Sequence, residues 1–143
     1  MALVIDDHLL LDVLAGIPAG AVANELERGG VFTTSCWYYR LGRAVVAGSG
    51  AGSLSGRLQA LGDAKRRDVL AALQDLPQEM GLLTPRVAVP VMLALRVRRS
   101  LNMLNAEALA IALLVEGTLV VSTDSPILRS SAADLRIEYQ VSA

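Results

Sequence analysis

Short apolar runs alternate with longer segments of helical spacing along this chain. Leu3–Ile5, Val31–Thr34 and Leu119–Val121 are rich in aliphatic and β-branched residues, and such short runs between polar segments predict buried strands. Between these runs, apolar residues recur three and four positions apart, as on one face of a helix. The helices predicted from this spacing cover 8–14, 37–46, 63–76, 90–98, 105–115 and 126–131. Two weaker strands are predicted at 82–83 and 137–139.

Glycine and proline set several of the predicted boundaries. Gly16 and Gly117 follow predicted helices, and Pro90 suits the first turn of one. The segment VVAGSGAGSLSG, residues 45–56, is rich in glycine and serine and predicts a surface loop. A phosphate-binding loop is the alternative, but the segment lacks the Lys-Ser/Thr pair of such loops and follows a helix rather than a strand.

The alternation of strands and helices predicts the fold class. Parallel strands need a crossover connection, and a helix is the usual one, so the pattern favours parallel pairing. We therefore expect an α/β fold, a three-layer α/β/α sandwich with a mainly parallel central sheet. A chain of 143 residues has the size of one domain, and 1–143 is treated as a single unit.

Two of the predicted strands run directly into carboxylates. Asp6 and Asp7 follow the first strand, and Asp124 follows the strand at 119–121 after a serine and a threonine. In sheets of this kind, ligands bind at the carboxyl ends of the strands. If the two strands are neighbours, Asp6 and Asp124 lie close together, and a divalent metal, an arginine or a shared proton is expected between them. An all-oxygen site of this kind suits Mg²⁺ or Mn²⁺. The alternative is that Asp6 and Asp124 each cap the helix that follows them.

Composition narrows the chemistry further. Cys36 and His8 are the only cysteine and histidine, which excludes a Cys/His metal cluster and favours a reducing, cytoplasmic setting. No apolar run is long enough to cross a bilayer, and no signal peptide is visible before Asp6, so we expect no membrane association. A net charge of −1 provides no overall attraction for nucleic acid.

Two stretches resemble a known family. LVIDDHLLLDVL near the start and LNAEALAIALLVEGTLVVSTDSPIL near the end resemble the PIN-domain family, which includes the VapC-type ribonuclease toxins. The resemblance implies an α/β sandwich in which clustered acids hold Mg²⁺ or Mn²⁺ and cleave RNA. On this basis Asp6 matches the first acid and Asp124 the last, and Thr123 would orient the site through its hydroxyl.

The chain departs from the family pattern at the remaining acids. The family usually has a glutamate on the helix after its second strand, but here no acid occurs between Glu27 and Asp63. The third acid corresponds to Asn105, which either offers a neutral oxygen to a metal or caps its helix. Glu107 is either a substitute metal ligand or an acid that favours the positive end of its own helix. Asp7 either adds a carboxylate or points to solvent or caps the first helix.

The segment without the expected acid is rich in aromatic and basic residues. Four of the five aromatic residues fall within 32–39, and Arg40 and Arg43 follow with the spacing of one helical face. One interpretation is an RNA-binding platform in which Trp37 stacks on bases and the arginines contact phosphates. A second is that Arg40 neutralises Asp6 and Asp124 in place of a metal. The third is that Trp37 and a tyrosine fill the core or a dimer interface.

These features lead to two hypotheses of function. The first is a PIN-like, Mg²⁺- or Mn²⁺-dependent ribonuclease with a reduced acidic site, in which Asp6, Asp124 and Glu107 bind metal while Asn105 and Thr123 assist. The resemblance adds that such a protein could be the toxin of a toxin–antitoxin pair. The alternative is a catalytically inactive PIN-like protein that binds RNA or a protein, such as an antitoxin-type partner. The apolar composition also suggests a homodimer.

Overall fold

The computed structural model describes residues 1–47 and 53–142, and these form eight helices and five strands. The first part of the chain contains β1 (Leu3–Ile5), α1 (Asp7–Leu14), α2 (Gly20–Glu27), β2 (Val31–Thr33) and α3 (Ser35–Ala47). The middle contains α4 (Ser53–Ala60), α5 (Asp63–Gln74), β3 (Met80–Leu82) and α6 (Pro85–Arg98). The last part contains α7 (Met103–Leu114), β4 (Thr118–Val121), α8 (Pro126–Asp134) and β5 (Tyr139–Val141).

All five strands form one parallel sheet in the order β3-β2-β1-β4-β5. Val4 in β1 is paired with Phe32 on one side and with Leu119 on the other. The chain builds outward from β1 through β2 to β3 and then returns to place β4 on the opposite side of β1. The strand order thus reverses between β1 and β4, and such a switch point leaves a crevice at the carboxyl ends of the two strands.

Helices cover both faces of the sheet, so the predicted three-layer α/β/α sandwich is confirmed. Side chains alternate along each strand, and this alternation divides the core in two. Leu3 and Ile5 belong to a cluster with buried side chains of α1 to α5, whereas Val4 belongs to a cluster with α6, α7 and α8. Both clusters contain mainly aliphatic residues, as expected for a parallel sheet buried on its two faces.

Two helices were not predicted from the sequence. In α2, Val22 is the only buried residue, so the helix lacks the broad apolar face that periodicity detects. In α4, Leu54 and Leu58 lie one turn apart and are buried, but glycine and serine around them favour a loop on propensity alone. Of the loop predicted at 45–56, residues 45–47 belong to α3 and 53–56 to α4, while 48–52 lie outside the described residues.

Several helix boundaries also differ from the prediction. α6 begins at Pro85 rather than Pro90, so Pro90 lies inside the helix. α5 begins at Asp63 as predicted, with Gly62 at its cap position, but it ends at Gln74. The side chain of Asn102 rather than that of Asn105 caps α7. Both α6 and α7 thus begin upstream of the predicted residue.

α6 is the longest helix in the described part of the chain, with 14 residues, and it packs against α7. Its 14 residues are fewer than the roughly 20 that a helix needs to cross a bilayer. Within residues 1–47 and 53–142, no helix combines the length and apolarity required to span a membrane.

Candidate functional site at the carboxyl edge of the sheet

The crevice between β1 and β4 brings together the two segments that the sequence singled out. Ile5 is paired with Val120, so Asp6 directly follows β1 beside the end of β4. Ser122, Thr123 and Asp124 directly follow β4. The candidate site is therefore at the switch point of the sheet, as the strand-tip positions of Asp6 and Asp124 predicted.

Asp6 is buried and both of its carboxylate oxygens accept hydrogen bonds. Oδ1 accepts from the Leu9 N–H at 3.0 Å, which makes Asp6 the side-chain cap of α1. Oδ2 accepts from the backbone N–H and from the hydroxyl of Ser122, each at 2.7 Å. The capping role that the sequence offered as an alternative is thus confirmed for Asp6. The same carboxylate also joins the start of α1 to the end of β4.

Asp7 is buried rather than exposed, contrary to the expectation that it points to solvent. Its Oδ1 accepts from the His8 N–H at 3.0 Å, and its Oδ2 lies 3.3 Å from Nε of Arg40. The side chain of Asp7 is 4% exposed and that of Arg40 is 53% exposed. Burial raises the pKa of Asp7, the positive charge of Arg40 lowers it, and the neighbouring Asp6 raises it again. Arg40 therefore forms an ion pair with Asp7, and not with Asp6 or Asp124 as one interpretation of the sequence proposed. Among the described residues, no group donates a hydrogen bond to Oδ2 of Asp7.

Glu107 is buried and binds the N-terminus of a different helix from its own. Its Oε2 accepts from the Ser35 N–H at 3.0 Å and its Oε1 from the Cys36 N–H at 2.8 Å. These N–H groups belong to the first turn of α3, where a helix has free donors and a partial positive charge. Together with burial, Glu107 raises the pKa of the Cys36 thiol to about 12. The expectation that Glu107 favours the N-terminus of its own helix is therefore wrong.

Asn105 lies in the first turn of α7 and is buried. Its backbone N–H donates to Oδ1 of Asn102 at 2.8 Å, so Asn105 is the recipient of the helix cap and not the cap itself. Asn105 and Glu107 both lie on α7, whereas Asp6 directly follows β1. No carboxylate stands at position 105, so the charge that the family pattern would place there is missing.

Asp124 is half exposed and faces α8 and β5. Its Oδ1 lies 3.0 Å from Nε of Arg129 and accepts a hydrogen bond of 3.0 Å from the Tyr139 hydroxyl. Arg129 also lies over the Tyr139 ring, 4.9 Å from its centre. Ser125, whose Oγ accepts from the Leu128 N–H at 3.4 Å, caps α8 in place of Asp124. The predicted cap at Asp124 is therefore wrong, and its carboxylate has an arginine partner instead.

Thr123 is exposed and lines a cavity of about 330 Å³ beside the crevice. His8, Asp12 and Arg57 line the same cavity. Arg57 donates to the His8 carbonyl at 2.9 Å and forms an ion pair with Asp12, which ties α4 to α1. Arg57 was not identified from the sequence, because α4 itself was not predicted.

The aromatic segment is divided between the core and the surface. Trp37 is 3% exposed and packs in the cluster under α6 and α7, so its ring is not available to stack on a base. Tyr38 donates a hydrogen bond to the Leu73 carbonyl on α5. Tyr39 is 70% exposed and, with Arg43, lines a largely apolar cavity of about 620 Å³ between α3 and α5. Of the proposed RNA platform, Trp37 is buried, Arg40 is exposed and paired with Asp7, and Arg43 is exposed.

The carboxylates do not form a metal-binding arrangement. In the described residues, no three His, Cys, Asp or Glu side chains are grouped so that they could hold a metal ion. Mg²⁺ requires near-octahedral oxygen coordination, usually with one or two carboxylates free to bind it. Here each implied carboxylate already has partners within the chain: Ser122 for Asp6, the start of α3 for Glu107, and Arg129 for Asp124. The donor set therefore does not fit Mg²⁺ or Mn²⁺.

Like Arg57, Ser122 is a residue of the site that the sequence alone did not identify. Its pattern predicts only the polar end of a strand, whereas its N–H and hydroxyl both donate hydrogen bonds to Asp6. Its position directly before Thr123 and Asp124 was the available signal. Comparison of the chain with protein-family models and with curated protein sequences gives no match. The PIN-like character of the chain therefore remains a proposal, which rests on the resemblance of the quoted motifs.

Proposed function

We propose that this chain is a PIN-like protein that does not hydrolyse RNA through a metal and that serves as a protein-binding module. The observation that carries the proposal is the intramolecular pairing of the carboxylates at the switch point. Asp6 is held by α1 and Ser122, Asp7 by Arg40, and Asp124 by Arg129.

The energetics of these contacts favour a structural role over metal binding. A helix cap contributes about 1 kcal/mol, and each hydrogen bond to a charged acceptor about 1.5–3 kcal/mol. A metal that took the oxygens of Asp6 would have to offset the loss of both kinds of contact. It would also approach the guanidinium of Arg40, which lies 3.3 Å from Asp7 and repels a divalent cation.

The exposed side chains favour a protein partner over RNA. Trp37 is buried and Arg40 is paired with Asp7, so two of the three residues of the proposed RNA platform are already engaged. The chain has a net charge of −1, which does not attract a polyanion. Large apolar side chains are exposed instead, notably Leu93 and Val97 on α6. Exposed apolar groups that lie together on a surface are typical of protein interaction sites.

The ribonuclease hypothesis makes the opposite prediction for metal binding. In that hypothesis Asp6, Asp124 and Glu107 bind Mg²⁺ or Mn²⁺. Asn105 and Thr123 assist, and the protein acts as an endoribonuclease of toxin type. An antitoxin-type protein and a second copy of the chain are partners compatible with either hypothesis. Metal affinity therefore discriminates between the two hypotheses directly.

Calorimetric titration with Mn²⁺ provides the test. We expect no saturable binding to the wild-type protein up to about 1 mM Mn²⁺, which corresponds to a binding free energy weaker than about 4 kcal/mol. Asp6→Asn and Asp124→Asn are titrated in parallel, with Asp134→Asn as a control at an exposed carboxylate on α8 that is remote from the crevice. Saturable binding that is lost in the two site variants and kept in the control would overturn the proposal and restore the ribonuclease.

A further inference from the structure

α6 exposes an apolar stripe on the side that faces away from the protein. Its buried side chains pack towards α7 and are Ala88, Met92 and Leu95. The opposite side carries Val89, Pro90, Leu93 and Val97, which recur with the three- and four-residue spacing of one helical face. Leu93 is 61% exposed and Val97 is 87% exposed. We call these four residues the α6 stripe.

Arginines flank the α6 stripe at both of its ends. Arg86 lies in the first turn of α6, and Arg96 and Arg98 lie in the last turn, all three exposed. The sequence of α6 is PRVAVPVMLALRVR and contains no acid. Among the described residues, none of these three guanidinium groups is within salt-bridge distance of a carboxylate, whereas the next arginine, Arg99, is paired with Asp134.

This charge pattern argues against a second copy of the chain as the occupant of the stripe. If two copies of α6 packed antiparallel through the stripe, Arg86 of each would lie near Arg96 of the other. If they packed parallel, each arginine would lie near its own counterpart. Like charges that face each other across an interface cost binding energy in both arrangements.

We propose that the α6 stripe is the docking site for an amphipathic helix of another protein, with acidic residues at both ends of its apolar face. The proposal deepens the proposed function and rests on it for the existence of a protein partner. Amphipathic helices bind through apolar anchors at i, i+3, i+4 and i+7, the spacing that the stripe itself presents. Arg86 and Arg96, the last-turn arginine nearer the stripe side, are about 15 Å apart along the axis, so the partner's acids should be separated by about three turns.

A designed peptide tests the surface. The probe is a fluorescent, helix-forming peptide of about 16 residues with leucines on one face and glutamates at both ends, and its partner probe has lysines in place of the glutamates. Anisotropy titration of the wild-type protein should give binding of the glutamate peptide at least about tenfold tighter than that of the lysine peptide. Absence of saturable binding of the glutamate peptide up to about 1 mM would overturn the proposal.

Surface variants identify which residues form the docking site. Leu93→Glu should weaken binding of the glutamate peptide by about tenfold or more. Ile127→Glu is the matched control, because Ile127 is 58% exposed on α8, and binding should stay within about twofold of wild type. In the triple variant Arg86→Glu, Arg96→Glu, Arg98→Glu, the preference should reverse towards the lysine peptide. Equal binding by Leu93→Glu and wild type, or an unchanged preference in the triple variant, would contradict the proposal.

Two further measurements address the other possible occupants. Sedimentation that shows a dimer lost in Leu93→Glu would assign the stripe to a second copy of the chain. Binding to anionic phosphatidylserine vesicles, lost in the same variant and without peptide binding, would assign it to a membrane surface. Both results would overturn the proposal and leave the Mn²⁺ titration unaffected. Conversely, Mn²⁺ binding would overturn the proposed loss of hydrolysis without moving the peptide affinities, so the two failures are distinguishable.

Discussion

At the scale of single residues, the carboxylates at the switch point show how similar side chains serve different purposes. Asp6 and Glu107 both accept hydrogen bonds from backbone N–H groups at the start of a helix. For Asp6 this is α1, which directly follows it, and for Glu107 it is α3, which is remote in sequence. Asp7 is buried against Arg40. Residue type and position suggested an acidic cluster, but the partner of each acid depends on which helix N-terminus or arginine the fold places beside it.

The Glu107 cap of α3 predicts an unreactive cysteine. Because burial and Glu107 raise the pKa of Cys36 to about 12, the thiolate is scarce at pH 8, roughly a thousandfold scarcer than at a pKa of 9. Alkylation of Cys36 in the folded protein should therefore be at least about a hundredfold slower than that of free cysteine. Glu107→Gln removes the negative charge and should speed the reaction, provided that circular dichroism shows the variant folded. If Cys36 of the wild-type protein reacted as fast as free cysteine, the proposed effect of burial and Glu107 on the Cys36 thiol would be contradicted.

The burial of Asp7 predicts that the difference in stability between Asp7→Asn and the wild-type protein changes with pH. Because the pKa of Asp7 is raised above its ordinary value of 3.8, ionising this carboxyl is less favourable in the folded protein than in the unfolded chain. The contribution of Asp7 to the free energy of unfolding is therefore fully present below its ordinary pKa of 3.8. This contribution is lost as the pH rises through the raised pKa of the folded protein. The free energy of unfolding of Asp7→Asn, measured by urea denaturation, should therefore increase relative to wild type between pH 4 and pH 7.

Substitution of Arg40, the ion-pair partner of Asp7, provides a control for the Asp7→Asn experiment. Its positive charge lowers the pKa of Asp7, so Arg40→Gln should destabilise the wild-type protein at pH 7. The same substitution should have a smaller effect in the Asp7→Asn background, because the ion pair is already absent there. If the stability difference between Asp7→Asn and wild type stays constant across pH, Asp7 is not the titrating group.

At the scale of elements, close approach between β2 and β3 depends on a glycine. Phe32 is paired with Gly81, and a Cβ added at Gly81 would lie 2.2 Å from Cδ2 of Phe32. Such an overlap forces the ring or the strand to move. Glycine at position 81 therefore lets the edge strand β3 pair with β2 without displacing the Phe32 ring.

Paired glycine substitutions test this close approach. Gly81→Ala should lower the free energy of unfolding by about 1–3 kcal/mol, as expected for overpacking. Gly42→Ala is the matched control inside α3, where an added Cβ meets nothing within 4 Å. There the same substitution should raise stability by about 0.5–1 kcal/mol, because alanine favours the helix. Urea denaturation of both variants measures the signs, and a neutral Gly81→Ala would show that the Phe32 ring moves aside freely.

At the scale of the whole molecule, strand order decides where the functional groups meet. The reversal between β1 and β4 places Asp6 next to Ser122 and leaves the crevice at the carboxyl edge of the sheet. The buried side chains of α6 pack towards α7, and the apolar stripe on its other side is exposed. The molecule thus has two surfaces of interest. The carboxylates at the crevice are paired within the chain, whereas the apolar side chains of the α6 stripe are exposed.

The sequence by itself determined the class of the fold and the location of the crevice. Periodicity of two and of 3.6 follows from local backbone geometry, so β1, α1, α7 and β4 could be predicted to within a residue or two. The same patterns required parallel strands with helical crossovers, and strand-tip aspartates then had to lie at one edge of the sheet. α2 and α4 escaped prediction because their burial involves few residues on each helix.

Only the tertiary structure decided what the acids and the aromatic segment do. The ion pair of Asp7 with Arg40 joins α1 to α3, and the contact of Glu107 with Ser35 spans 72 positions of the chain. Trp37 is buried because α3 turns this residue towards the cluster shared with α6 and α7. Such contacts depend on how separate elements dock. Local spacing does not encode docking, because the same carboxylate can bind a metal, an arginine or a helix N-terminus, and the nearest available partner decides.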